Sequence, residues 1–448
     1  MNESLLSEPA GRADSNQPIR HSVYGLLLVI YAAIAAAAIV AARPLLSAND
    51  RSRWCTVWSL VERGTYQIDE IDSKRIKGKR RWATIDKVKH EGHFYSSKPP
   101  LLPTIVAGLY WVIKHTTGMN LLDHTEAVTR SILLLINWLP MMVALVLLVR
   151  LIERYVVDDW ARLYLTAAAA FGTLLTPFLI TFNNHTVAAT SLVFALYPAV
   201  GILCEGQRRG RDFALVGFWA AFVCCNELPA ALFGVAAFVL LWRVCPKKTL
   251  TWFIPAALVP LVAFFFTNYL VTGGLKPFYA YYGTEKYLYP GSYWLNPKGI
   301  DKGGDSPIVY FLHCTIGHHG IFSLSPIYLI ALAAWLRRRE TSASPLKIVI
   351  WLGGILTACV LGFYLTRTAN YNYGGNTSGL RWTFWLIPFW LLSMIPILNG
   401  WSSRRWFRIA ALVALAISVF SAFCPISNPW QQPWLFRLME QAGWIHYG

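Results

Sequence analysis

Two polar side chains stand at either end of the most polar stretch of an otherwise greasy chain. Asp50 lies in Ala48-Asn49-Asp50-Arg51-Ser52-Arg53-Trp54, directly after the first long apolar run. Lys98 lies in Phe94-Tyr95-Ser96-Ser97-Lys98-Pro99-Pro100, directly before the next. A carboxylate so placed could take a proton from a hydroxyl, and a lysine could hold an anion such as a lipid phosphate. Each also has a plainer use. Asn49, Asp50 and Ser52 are all helix-capping types, and Lys98 could snorkel at a membrane surface. The double proline after Lys98 fixes the backbone, and an immobilised lysine makes a better anion site than a mobile one.

Other polar residues break the apolar pattern further on. Asn183-Asn184-His185 separates two apolar runs, and Glu227 sits in Asn226-Glu227-Leu228-Pro229 between two short ones. An idle carboxylate there would be costly beside apolar surroundings. His318-His319 follows Gly317. Paired histidines could bind a divalent metal ion, but two adjacent side chains rarely face one ion, so metal use stays open. Asn372 and Asn376 lead into Arg381, in Gly379-Leu380-Arg381-Trp382. Its guanidinium can pair bidentately with phosphate oxygens or simply anchor the chain at an interface.

The elements that must position these groups follow from composition. The 448 residues are 55% hydrophobic and 14% charged, whereas a soluble chain carries about a quarter charged residues. Apolar runs of about 20 residues recur along the whole length, the signal of a polytopic α-helical membrane protein. Val23–Ala42 is too long for a signal sequence and reads as a permanent helix. The net charge of +17 does not call for nucleic acid, because the basic residues cluster in short turns where the positive-inside bias puts them. The eight cysteines show no metal-ligand spacing. Cys55 and Cys314 both fall in expected outer loops, which leaves their pairing open.

On this pattern residues 1–22 form a cytoplasmic tail. Residues 23–424 form an all-α transmembrane domain with about eleven spans, and 425–448 an outer aromatic tail. A large first extracytoplasmic loop covers 43–127 and a second covers 272–318. Inside the first loop, Asp50–Arg63 has helical spacing and Gly64 ends it. A basic run, Lys74–Arg81, follows, and alternation on both sides of Gly92 predicts a small β-hairpin. Pro99–Lys114 is short for a span, and counting basic turns puts it on the outer leaflet as an interfacial helix. Two short helices meet at a tip carrying Glu227. With this topology every polar candidate faces the outer side.

The arrangement resembles the GT-C type integral-membrane glycosyltransferases, which include the protein O-mannosyltransferases and the lipid A aminoarabinose transferase. The resemblance rests on Asp50 just after the first helix, on Leu60-Val61-Glu62-Arg63-Gly64-Thr65-Tyr66, and on Tyr95-Ser96-Ser97-Lys98-Pro99-Pro100-Leu101. It covers roughly the first 240 residues, and Gly317–Pro326 and Asn372–Trp382 look like segments of bacterial members. It implies Asp50 as the base that activates an acceptor hydroxyl, and Lys98, with Arg381, as contacts to the lipid phosphate of a polyprenyl-phosphate sugar donor. The pocket would include Asn183, Asn184, His185, Glu227, His318, His319 and Asn372. Where the family carries a second-loop acid, this chain has Asn183-Asn184-His185, and Asn49-Asp50 supplies one first-loop acid where members often carry two. The implied setting is a bacterial inner membrane with the site facing outward and a glycan, lipid or protein as acceptor. Two alternatives stand beside this one. The broken helix pair at Glu227 also fits a secondary transporter, and a non-catalytic envelope assembly protein would need none of these residues.

Overall fold

A helix that is apolar all round must be buried in protein or in lipid, and this chain contains both kinds. A computed structural model describes residues 17–76, 78–368 and 372–447. It is 70% helical with almost no strand. Among the described residues, seven helices are long and apolar enough to cross a membrane. They are α1 (Gln17–Ala41), α4 (Thr125–Tyr155), α6 (Asn184–Cys204), α9 (Pro246–Thr272), α12 (Lys347–Leu365), α13 (Arg381–Trp401) and α14 (Arg405–Phe423). The protein is therefore a multi-pass integral membrane protein. The other four expected spans are helical but shorter or interrupted: α5 (Asp159–Phe171) continued by Leu175–Phe178, α7 (Gly210–Asn226), α8 (Ala231–Val244), and Ile321–Leu324 continued by α11 (Tyr328–Leu336).

Two of the long helices are interior. Within their most apolar windows, 78% of α6 and 89% of α13 is buried by the rest of the chain, against 22–39% for the other five. Small residues allow this. Ala188, Ala189, Ala195 and Ala199 line buried positions of α6, and close backbone approach is what holds helices together where lipid is the solvent. On α7, a Cβ at Gly217 would lie 2.3 Å from the Phe253 carbonyl oxygen, so only glycine admits α9 at that crossing. The outward face of α9 leaves Val259, Val262 and Phe266 about three-fifths exposed, as a lipid-facing surface must be.

The basic turns gather at one end. Arg154 pairs with Glu205 at 3.1 Å and Arg20 with Glu153 at 2.8 Å. Arg408 lies 3.7 Å from Asp158, and Arg337 and Arg404 both lie over the Trp401 ring. Lys248 donates to the Arg208 carbonyl. The polar candidates lie on segments at the opposite helix ends. The first helix starts at Gln17, so the expected irregular tail is too long at its inner end: residues 17–22 are helical because Arg20 is held by Glu153 and Asp159. Residues 1–16 of that tail lie outside the described residues.

Between α1 and α4 the chain builds a small cap. Helix α2 (Ala48–Arg63) stops at Gly64, whose φ of 66° is left-handed. Strands β1 (Lys87–His90) and β2 (His93–Ser96) pair antiparallel around Glu91-Gly92, as the alternation predicts. Helix α3 (Leu101–Thr117) lies along α2, and Glu62 accepts from Tyr110 Oη at 2.5 Å and from Lys114 Nζ at 2.6 Å. The second loop packs on the hairpin. Lys89 donates its backbone N–H to Lys286 at 2.9 Å, and Trp294 donates to the Ile85 carbonyl at 3.2 Å. That loop ends in α10 (Pro307–Thr315), and the chain closes with α15 (Trp434–Gln441). Cys55 and Cys314 are both free thiols. Their pairing does not occur, because the Cys55 thiol is buried against the Trp82 carbonyl instead, at 3.4 Å.

Candidate functional site

The site begins with a capping question, and the structure answers it against Asp50. Ser47 is the N-cap of α2, its hydroxyl accepting from the Asp50 N–H at 3.0 Å. Asp50 is freed from that duty and turns inward, 2% exposed. Its Oδ1 accepts from the Phe182 N–H at 2.9 Å and its Oδ2 from the Leu46 N–H at 3.2 Å. The carboxylate thus ties the exit of α1 to the turn before α6. Burial pushes its pKa up to about 6; the two backbone donors and Arg53 pull the other way. The Trp54 side chain is a third donor to the carboxylate, and of the roughly four lone-pair sites of its two oxygens one is left to accept a proton.

That turn is itself built from amides inside the bundle. Asn137 Nδ2 donates to the Leu179 and Thr181 carbonyls at 2.9 and 2.8 Å. It does so from a π-helical segment, Leu134–Trp138, and such bulges recur at functional sites. Asn183 caps α6, accepting from the Thr186 N–H at 2.9 Å, and donates to the Phe178 carbonyl at 2.8 Å. Fully buried and fully bonded, Asn183 serves the turn and offers nothing to a pocket. Asn184 and His185 do face the cluster. Asn184 donates to Glu227 Oε1 and to the Asn226 carbonyl, both at 2.8 Å, and accepts from Arg53. The His185 ring bonds Glu227 through Nδ1. Glu227, at the junction of α7 and the turn into α8, is 6% exposed. Burial pushes its pKa up to about 8, against the pull of the Arg381 and Arg53 guanidinium groups and the Asn184 hydrogen bond, in line with the rule that a buried carboxyl is partnered or neutral.

Three cations converge on this group. Arg53, one helical turn past Asp50 on α2, reaches Asn49 and Asn184. Burial lowers its pKa to about 10, with repulsion from Arg381 adding to the effect. Lys98 pairs with Asp86 at 3.0 Å, the two side chains 19% and 13% exposed. Burial pulls its pKa down to about 8, against the attraction of Asp86 and with the repulsion of Arg53 and Arg381. Arg381 donates to the Gly374 carbonyl at 2.9 Å, approaches His185 Nε2 at 3.4 Å and lies over the Trp430 ring at 4.9 Å. Asp50 and Lys98 do not touch. The Ser52 hydroxyl, two residues past Asp50, donates to the Asp86 carbonyl at 2.6 Å and lies 2.6 Å from Ser96 Oγ, which pins α2 to the hairpin that leads into Lys98.

The remaining candidates form a second tier behind Arg381. Asn372 donates to Asp301 at 2.6 Å and so meets a neighbouring carboxylate, with no direct contact to the cations. His318 and His319 are fully buried and bonded to each other at 2.5 Å. His319 Nε2 lies 3.1 Å from the Thr377 carbonyl, and His318 Nε2 lies 3.0 Å from Tyr447 Oη. Burial drives both imidazoles toward neutrality, His319 to about 3. They brace the loop that carries Arg381 and are not part of the pocket expected from the sequence. Among the described residues no group of three His, Cys, Asp or Glu side chains is arranged to hold a metal ion.

Sequence reasoning overlooked Arg53 and Asp86. Arg53 stands three residues after Asp50, a spacing that puts both on one helix face, so the signal was there. Asp86 needs the hairpin register: Lys87 opposes Ser96, which sets Asp86 beside Ser97 and within reach of Lys98. No known family model matches the chain, and no curated protein is similar to it in sequence.

Proposed function

We propose that this protein is a GT-C type membrane glycosyltransferase of about eleven spans, working on the outer face of a bacterial inner membrane. It would move a sugar from a polyprenyl-phosphate donor to an acceptor hydroxyl. The observation that carries the reading is the set of three cations, Arg53 buried and Lys98 and Arg381 half-buried, gathered with an ionisable carboxylate, Asp50, at the end away from the basic turns. Three cations partly desolvated together are far more than a fold requires, and they suit a dianionic leaving group whose charge grows as the bond breaks. A lipid-borne donor enters from the bilayer, so no nucleotide-binding loop is needed.

In the proposed step the acceptor oxygen attacks the anomeric carbon as Asp50 removes its proton. The bond between that carbon and the phosphate oxygen breaks, and the electron pair leaves with the lipid phosphate. Lys98 and Arg381 hold the departing oxygens, and Arg53 adds charge beside them. Asp86 keeps Lys98 oriented in the empty site and yields it to the phosphate. The test is transfer of radiolabelled sugar from a polyprenyl-phosphate donor in proteoliposomes. Transfer that is lost in the Lys98→Ala and Arg381→Ala variants supports the reading; transfer undiminished in both overturns it. A secondary transporter is the second reading, favoured by the buried His185–Glu227 pair at a helix break. Substrate flux through proteoliposomes without any sugar transfer would select it.

A further inference from the structure

The basic run Lys74–Arg81 has no part in the cation cluster. It holds six basic residues in eight and no acid, and it lies in the cap between α1 and α4, at the end away from the basic turns. Segments on the outer side are ordinarily poor in lysine and arginine, so charge of this density there needs a reason. The run is also ordered. Ile76 and Lys79 exchange backbone hydrogen bonds at 2.9 and 3.1 Å, and Gly78 takes the left-handed φ of 76° that so tight a turn requires.

The neighbouring acids leave most of this charge unpaired. Asp72 is buried and anchors the turn: it accepts from the Thr84 N–H at 2.8 Å and from Lys87 Nζ at 2.5 Å, and lies 3.5 Å from Arg80. Glu70 is held by Arg63 at 2.6 Å. Arg75, Lys79 and Arg81 are exposed, and among the described residues none of the three has an acidic partner. A bilayer surface is a poor match for them. Elements that lie on a membrane bring an apolar face beside their cations, whereas here Trp82 is fully buried, Ile76 is half-buried, and no large apolar side chain among the described residues between 74 and 84 is exposed. The turn is tied to the site as well. Thr84 Oγ1 donates to the Ala48 carbonyl at 2.7 Å, two residues before Asp50, and Asp86 pairs with Lys98 at 3.0 Å. Three residues of chain span at most about 11 Å, so Arg81 stays close to the start of α2.

We propose that this turn holds the acceptor and that the acceptor is a soluble polyanion, a chain bearing repeated phosphate or carboxylate groups. The word acceptor rests on the transfer reading, but the binding is tested apart from transfer. Full-length protein in phosphatidylcholine nanodiscs is treated with N-hydroxysulfosuccinimidyl acetate, and acetylation of Lys79 is followed by mass spectrometry with long-chain polyphosphate, polygalacturonate or neutral dextran added. Either polyanion should protect Lys79 and dextran should not. With Arg75, Lys79, Arg80 and Arg81 all neutralised, polyphosphate affinity should fall about 10²-fold between about 50 and 200 mM salt. The Arg75→Gln/Arg81→Gln double variant keeps two of the four and should show only about a tenfold fall over the same range, from a weaker start. The absence of protection by both polyanions overturns the proposal, as does binding of the same strength and salt dependence in the double variant. Protection of Lys79 in phosphatidylglycerol nanodiscs with no polyanion added also overturns it, in favour of leaflet headgroups. Sugar transfer without polyanion binding leaves the glycosyltransferase standing and removes this surface; polyanion binding without any transfer keeps the surface and removes the transfer reading.

Discussion

Asp50→Asn separates a catalytic role for this residue from a structural one. The carboxyl pKa is raised from an ordinary 3.8 to about 6 by burial, so keeping it ionised at neutral pH costs the folded protein about 3 kcal/mol at about 1.4 per pKa unit. Asparagine resembles the protonated acid and removes that cost. Against this, its Nδ2 faces one of the two backbone donors, the N–H of Phe182 or of Leu46, and orphans it at about 1–3 kcal/mol. The two effects nearly cancel, so Asp50→Asn should unfold within about 2 kcal/mol of the parent. Asp50→Ala orphans both N–H groups and should be the less stable of the two. Transfer should respond differently, with Asp50→Asn losing about 10²-fold or more. The assay is labelled-sugar transfer in proteoliposomes beside thermal unfolding in detergent. The pH dependence has opposite signs in the two measurements. A base must be ionised, so transfer should rise as pH climbs through about 6. The stability contribution is complete below 3.8, where the acid is protonated in both states, and is lost as pH rises through about 6. Near-normal transfer by Asp50→Asn refutes Asp50 as the base, and a selective loss in Asp86→Asn would pass that role to the partner of Lys98.

Three further outcomes are expected. Binding of a polyprenyl monophosphate should weaken as pH rises through about 8, where Lys98 sheds its proton, and Lys98→Met should bind less tightly and lack that limb; binding isotherms at several pH values decide it. Arg53→Lys should not rescue what Arg53→Ala loses, because one ammonium cannot span both Asn49 and Asn184; equal activity of Arg53→Lys and the parent would contradict this. Alkylation of unreduced, denatured protein should count eight free thiols, and a count of six would restore the Cys55–Cys314 bridge.

How much of this was legible depends on the range over which each feature is set. The stop of α2 at Gly64 and the hairpin turn at Glu91-Gly92 are local, since left-handed glycine and strand alternation act within a few residues. Both appear where the spacing predicts them. The partners of Asp50 were not legible. A carboxylate near a helix start reads as a cap, and only the position of Ser47 one turn earlier releases it. Glu227 was singled out for its apolar setting, and its neighbours Asn184 and His185 arrive from another helix more than 40 residues away. His318 and His319 read as a possible metal pair, yet their nitrogens are consumed by each other, by Tyr447 and by the Thr377 carbonyl.

Composition and hydropathy alone determine that this chain lives in a bilayer, because about twenty apolar residues in a row have no cheaper place to be. They also single out the few polar residues that interrupt the pattern. Which of those residues meet was decided only by tertiary packing. Asp50 and Phe182, or Arg53 and Asn184, are separated by more than 130 positions, and they touch because the chain around α6 is brought against α2. That packing depends on small side chains and buried amides, whose contacts carry no local periodic signature.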